Sequence, residues 1–153
     1  MKIIPKSNHK YHAKKVEYNG LTFDSQLEYK RYLFLLDAQQ RGQIANLRLQ
    51  VKYTLIPAQY QTLQRFGKRG QPLTPKRVCL EKESAYFADF VYYVKHHDTL
   101  IDDRWETLVV EDTKSKATRT EVYKLKRKLM LDKYGIRIRE VSKASDPVAD
   151  FNQ

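Results

Sequence analysis

Asp112 and Lys114 stand two residues apart at the end of an apolar run, Val109-Val110-Glu111-Asp112-Thr113-Lys114. Successive residues of a strand point to opposite faces, so Asp112 and Lys114 share one face and Glu111 takes the other. Upstream, Ala88-Asp89-Phe90-Val91-Tyr92-Tyr93 holds one isolated acid in an aromatic and β-branched strand. A lone acid there costs stability unless it is solvated, paired or bound to metal. Two acids and a lysine converging would suit a divalent cation beside a phosphate. Carboxylates hold Mg²⁺ because it is a hard cation that prefers oxygen ligands and keeps some waters. Such a metal lowers the pKa of a bound water and polarises a scissile phosphate. A lysine beside it orients the nucleophile or stabilises developing negative charge. The backbone carbonyl of Thr113 would add a ligand. Asp112 is preferred over Glu111 as the ligand, a choice that a β-bulge would overturn.

Glu28 is the third acid. Ser25-Gln26-Leu27-Glu28 is itself a capping box, which accounts for a glutamate there without any chemistry. At about 100° per residue, however, Tyr29, Tyr32, Leu33, Leu35 and Leu36 form an apolar arc and Glu28 falls inside it. The side chain should therefore lean toward the sheet.

The elements that must position these groups are readable in outline. The 153 residues favour one domain with its own core. A hairpin turning at Asn19-Gly20 precedes a helix over 25–40 that stops at Gly42. Strands are expected over 50–56, 78–80, 86–94 and 107–113. Residues 59–76 read as a long basic loop or hairpin tip, with Gly67, Gly70, Pro72 and Pro75 among Arg65, Lys68, Arg69 and Lys76. Residues 95–106 read as a hairpin loop. A second helix over 119–134 has Thr118 and Glu121 as a capping box, Gly135 as its C-terminal cap, and Val122, Leu125 and Leu129 as its apolar stripe. Residues 136–141 make a last strand. The order is helix, three or four strands, helix, strand: an α/β sandwich around a mixed sheet. A basic arm over 1–15, a domain over 16–142 and a polar tail over 143–153 complete the division.

Lys and Arg number 29 against 18 Asp and Glu, a net charge of +11 spread along the whole chain. A polyanion is the natural partner, and nucleic acid leads. No long apolar span or lipidation motif points to a membrane. Cys79 is the single cysteine, which excludes an intramolecular disulfide and a multi-cysteine zinc site. Between Val78 and Leu80 it reads as a packed thiol. The first 15 residues lack the apolar core of a signal peptide, so a cytoplasmic location is expected.

Taken together, these residues resemble the PD-(D/E)XK nuclease superfamily, and more closely its small phage-encoded members formerly grouped as a domain of unknown function. The resemblance runs through Lys10-Tyr11 to Asn19-Gly20, Phe23-Asp24-Ser25-Gln26-Leu27-Glu28, Gly42-Gln43-Ile44 and Leu47-Arg48-Leu49-Gln50. It continues through Ala88-Asp89-Phe90, Val110-Glu111-Asp112-Thr113-Lys114, Lys124 with Lys126 to Lys128, and Tyr134-Gly135-Ile136. It implies a restriction-endonuclease-like core, a central mixed β-sheet flanked by helices (αβββαβ). It also implies that Glu28, Asp89, Asp112 and Lys114 act together, with Mg²⁺ held by Asp89, Asp112, Thr113 and Glu28, and Mn²⁺ able to substitute. Ala88 replaces the proline that often precedes the strand acid. Gln50 is a further candidate, because related nucleases carry a glutamine near the site.

For phosphate contacts the sequence offers Lys124, Lys126, Arg127 and Lys128, with Lys116 and Arg119 just past the active strand and Arg65, Lys68 and Arg69 in the basic loop. The expectation is a Mg²⁺-dependent DNA endonuclease in phage recombination, replication or processing, with branched DNA such as a Holliday junction as a substrate. Cutting two strands symmetrically would favour a homodimer. A non-catalytic nucleic-acid-binding module on the same fold is the alternative. A histidine-metal nuclease built on His96-His97-Asp98 is weaker, since adjacent strand histidines point apart.

Overall fold

A computed structural model of the chain describes residues 15–98, 103–114 and 118–148. The fold is mixed α/β. Strands β1 (Val16–Tyr18) and β2 (Leu21–Phe23) form the expected small hairpin, with Asn19 and Gly20 both at positive φ in its turn. Helix α1 (Gln26–Gln40) follows. Strand β3 (Ile44–Ile56) leads into a hairpin of β4 (Gln59–Phe66) and β5 (Pro72–Glu81). Strands β6 (Ser84–Asp98) and β7 (Asp103–Thr113), helix α2 (Glu121–Tyr134) and β8 (Arg139–Val141) complete the chain. The central sheet has the order β3-β6-β7-β8, antiparallel except for the parallel β7–β8 pair.

Two apolar clusters cover the sheet. Leu35 and Ala38 of α1 pack on Phe90, Tyr92, Val94 and Val109. Tyr123 and Met130 of α2 pack on Tyr86, Ala88, Val91 and Val110. Val109 and Val110 thus face opposite layers, as strand alternation requires.

Several expectations are corrected. The first long strand begins at Ile44, not Gln50, and the central hairpin strands extend through 95–98 and 103–106. Residues 59–76 belong mostly to a β-ladder, with only 67–71 forming the tip. Thr120, not Thr118, caps α2: its side chain accepts from the Tyr123 N–H at 3.2 Å. Gly135 closes that helix in the left-handed conformation as expected. Val122 and Leu125 are exposed, because α2 turns Tyr123 and Met130 inward instead. Cys79 lies in a strand but is exposed, since that strand has no core to face.

The buried ion pair is unexpected. Arg31 of α1 and Glu111 of β7 are fully buried and meet through two hydrogen bonds of 2.6 and 3.0 Å. Tyr92 Oη donates to Glu111 at 2.7 Å, and Arg139 of β8 adds a bond of 2.8 Å. The Arg31 guanidinium also donates to the carbonyls of Ala144 and Asp146, and Arg139 donates to that of Pro147. Residues 144–147 are thereby tied to the core. Breaking a buried pair from one side strands the other charge, at a cost of about 3–5 kcal/mol. Glu111→Gln should therefore lower the unfolding free energy by roughly that amount. Denaturant unfolding of this variant measures it, and an unchanged midpoint would remove the structural role.

Candidate active site

Each acid is delivered by a separate element. Glu28 sits in the first turn of α1, where the Ser25 hydroxyl accepts from its N–H at 3.1 Å. Its carboxylate reaches back to the Asp24 N–H at 2.8 Å and accepts from Gln50 Nε2 at 2.9 Å. The cap and the inward lean therefore coexist: Glu28 is 4% exposed. Burial, then the charge of Asp89, pushes its carboxyl above the ordinary glutamate range.

Asp89 lies where strand alternation breaks. Ala88 packs in the α2 layer and Phe90 in the α1 layer, although two residues apart they should share a face. The flanking pairs Leu49–Phe90 and Val51–Ala88 set Gln50 opposite Asp89, and Gln50 has φ +50°, left-handed for a non-glycine residue. The same break puts Val91 into the core while Phe87 is exposed, so Asp89 shares no single face with both. At this break Asp89 has Glu28 from one layer and Asp112 from the other as charged neighbours. Its Oδ2 accepts from the Thr113 N–H at 2.8 Å and the Thr113 hydroxyl at 2.7 Å.

Asp112 is 1% exposed. Its Oδ2 accepts from Tyr86 Oη at 2.9 Å and lies 3.2 Å from Lys114 Nζ. Its Oδ1 is buried without a hydrogen-bond partner. Burial, then the neighbouring Asp89 carboxylate, pushes this carboxyl up to about 7 against the opposing pull of Lys114. Lys114 is positioned by its backbone N–H, which donates to the Val141 carbonyl at 2.9 Å, and by the Tyr123 ring 4.9 Å from its ammonium. Glu111 faces the other layer, committed to Arg31 and Arg139.

The donor set suits a hard divalent cation. Asp89, Asp112 and the Thr113 carbonyl are the groups that would hold it, and the orphaned Asp112 oxygen is a ligand position that no protein donor fills. Among the described residues, no group of three His, Cys, Asp or Glu side chains forms a ready-made metal cage.

The cations divide into those paired near the acids and those set apart from them. Arg119 and Arg127 each meet Glu140 at 2.6 Å, and Tyr123 Oη donates to the same carboxylate. Lys126 donates to the Ala85 carbonyl at 2.7 Å, and Lys124 pairs with Glu121 one turn away. Arg127, Lys128, Arg137 and Glu140 line a groove of about 440 Å³ between α2 and β8. Glu140 stands beside Asp112 in the β7–β8 register, so this groove adjoins the acids. Arg65, Lys68 and Arg69 lie on the distant ribbon, and Lys116 lies outside the described residues, as does the basic arm over 1–14. His96 is engaged with Thr107 at 3.1 Å.

Residues 8–145 match a family-level sequence pattern that spans every one of these acids. The chain belongs to the DUF1064 family, described as proteins of unknown function. No curated protein and no solved structure matches it. Among the described residues of this DUF1064 chain, no helix is long and apolar enough to cross a membrane.

The raised Asp112 value has a thermodynamic consequence in metal-free buffer. The folded protein keeps a proton that the unfolded chain releases between about pH 4 and about 7. The Asp112 contribution to stability is thus full below that window, falls as pH rises through it, and is flat above. Asp112→Asn has no such dependence. It should be more stable than the native chain at pH 8 by on the order of 1–3 kcal/mol, with the gap closing toward pH 4. Denaturant melts of both proteins in EDTA would show this, and a gap independent of pH would contradict it.

Proposed function

We propose that the chain is a metal-dependent DNA endonuclease that hydrolyses phosphodiester bonds. The observation that carries this reading is Asp112: a buried carboxylate with one unpartnered oxygen, beside a second carboxylate and 3.2 Å from a lysine. A bound Mg²⁺, or Mn²⁺ in its place, would supply an activated water and polarise the scissile phosphate. Asp89, Asp112 and the Thr113 carbonyl would hold that ion. Glu28, kept in place by Ser25, Asp24 and Gln50, sits close enough to Asp89 to orient a further water or accept its proton. Lys114 presents its ammonium from the rim of the site, where it can hold the attacking oxygen or neutralise charge developing on the phosphate.

The net charge of +11 supports a nucleic-acid substrate, and the cation-lined groove beside Glu140 offers phosphate contacts next to the acids. A phage DNA-processing role in the host cytoplasm, with branched DNA as substrate and a homodimer as the cutting unit, follows from the resemblance to PD-(D/E)XK nucleases. A second reading, a non-catalytic DNA-binding module, is favoured by the cations that lie away from the acids on the β4–β5 ribbon.

Incubation with supercoiled, linear and four-way-junction DNA in Mg²⁺, Mn²⁺ or EDTA separates the two. Metal-dependent cutting should fall by about 100-fold or more in Lys114→Ala and Asp112→Asn. Tight binding without cutting on any substrate would establish the module instead. Equal cutting by the variants would place the activity elsewhere.

A further inference from the structure

Among the described residues, the β4–β5 ribbon has no extensive packing except between its own two strands. Its strands pair from Gln59–Glu81 to Phe66–Pro72, and every residue in them except Val78 is exposed. Five large apolar side chains are left in solvent, with Phe66 67%, Leu80 58% and Tyr60 49% exposed. An isolated two-stranded hairpin is marginally stable in water, so a partner that covered these side chains would stabilise the ribbon.

Charge selects the occupant. Residues 59–81 carry Arg65, Lys68, Arg69, Lys76 and Arg77 against the single acid Glu81. A second copy of a chain with net charge +11 would repel them, whereas a polyanion would not. Opposed residues in the ladder share a face. One face therefore carries Leu63, Arg65, Leu73 and Lys76, and the other Tyr60, Phe66 and Arg77, with Arg77 stacked 3.8 Å from the Tyr60 ring. Both faces mix cations with apolar groups, so both can meet a surface that has phosphate walls and a base-edge floor.

Shape selects the form of the polyanion. An eight-residue ribbon extends about 26 Å and its strands lie about 5 Å apart. The B-form major groove, about 12 Å wide, admits a two-stranded ribbon without distortion, whereas the minor groove, about 6 Å wide, takes one only where the duplex is bent and the groove widened. The major groove of A-form RNA is too deep and narrow to be read this way. The ribbon leaves the sheet at the Ile56–Ser84 pair. That is the end toward which β7 carries Asp112 and Lys114.

We infer that the β4–β5 ribbon is a duplex-DNA reader that lies in the major groove flanking the cut site, so that the substrate must include B-form duplex next to the cleaved phosphate. The identity of the polyanion as DNA rests on the nuclease reading above.

The test is fluorescence anisotropy in EDTA, on a DNA duplex, single-stranded DNA of the same length and an RNA duplex, over a salt series. The full chain is compared with a variant carrying Arg65→Gln, Lys68→Gln, Arg69→Gln, Lys76→Gln and Arg77→Gln. A second variant replaces residues 58–82 by a tight turn, since Ile56 and Ser84 are already paired. Affinity for the DNA duplex should fall at least tenfold in both variants. Its salt slope should drop by about 0.9 for each phosphate that is no longer neutralised, roughly three to five phosphates in all. Binding of single strands and of RNA duplex should change far less. Unchanged duplex affinity and slope would overturn the inference. A switch from dimer to monomer in sedimentation, with duplex affinity per chain unchanged, would also overturn it and make the ribbon a dimer arm. The cleavage assay keeps the two proposals separate. Metal-dependent cutting with ribbon-independent binding sinks the ribbon alone, whereas ribbon-dependent binding with no cutting sinks the nuclease alone.

Discussion

Two adjacent acids on one strand are sent to opposite layers, and the rest of the architecture follows from how differently they are treated. Glu111 is buried against Arg31, Arg139 and Tyr92, so its charge is compensated and its role is structural. That cluster clamps α1 to β7, joins β8 to both, and draws in the chain at 144–147. Buried ion pairs gain little net stability over apolar packing, but they are costly to break and so specify one arrangement. Here the arrangement specified is the placing of the first turn of α1, and with it Glu28, over the sheet. Asp112 faces the other layer with one oxygen uncompensated.

The acids are brought together by an irregularity. In a regular strand, groups from the α1 layer and the α2 layer stay on opposite sides of the sheet. At Asp89, across from left-handed Gln50, both β3 and β6 exchange the layer that their side chains enter. An acid at this exchange can neighbour Glu28 on one side and Asp112 on the other. Gln50 serves twice, since its backbone makes the break and its amide holds Glu28. Sparsely populated backbone conformations cluster where function requires them, and this one sits at the centre of the candidate site.

Most of the site is legible in the sequence because it obeys short-range rules. Alternation separates Asp112 from Glu111, helical period turns Glu28 inward, and caps at Ser25 and Gly135 mark helix ends. What is not legible depends on distant partners. Arg31 reads as an ordinary surface charge on a helix, because its partner lies 80 residues away. In β3 the alternation of Leu47, Leu49, Val51, Tyr53 and Leu55 runs unbroken across left-handed Gln50, so nothing in the sequence marks the layer exchange there, and only Ile44–Asn46, with left-handed Asn46, departs from the period. The ribbon reads as a loop because neither of its faces is buried, and without burial there is no selection for alternation. The orientation of α2 is hidden for a related reason: Val122 and Leu125 supply a stripe, but Tyr123 is held by Glu140 and Lys114 and decides which side faces inward.

If the orphaned Asp112 oxygen is a cation ligand, anomalous diffraction from crystals equilibrated with Mn²⁺ will show it most directly. A single strong peak is expected within coordination distance of Asp112 Oδ1, shared with an Asp89 oxygen and the Thr113 carbonyl. A fully occupied Mn²⁺ bound elsewhere, with Asp112 Oδ1 still unliganded, would contradict the assignment.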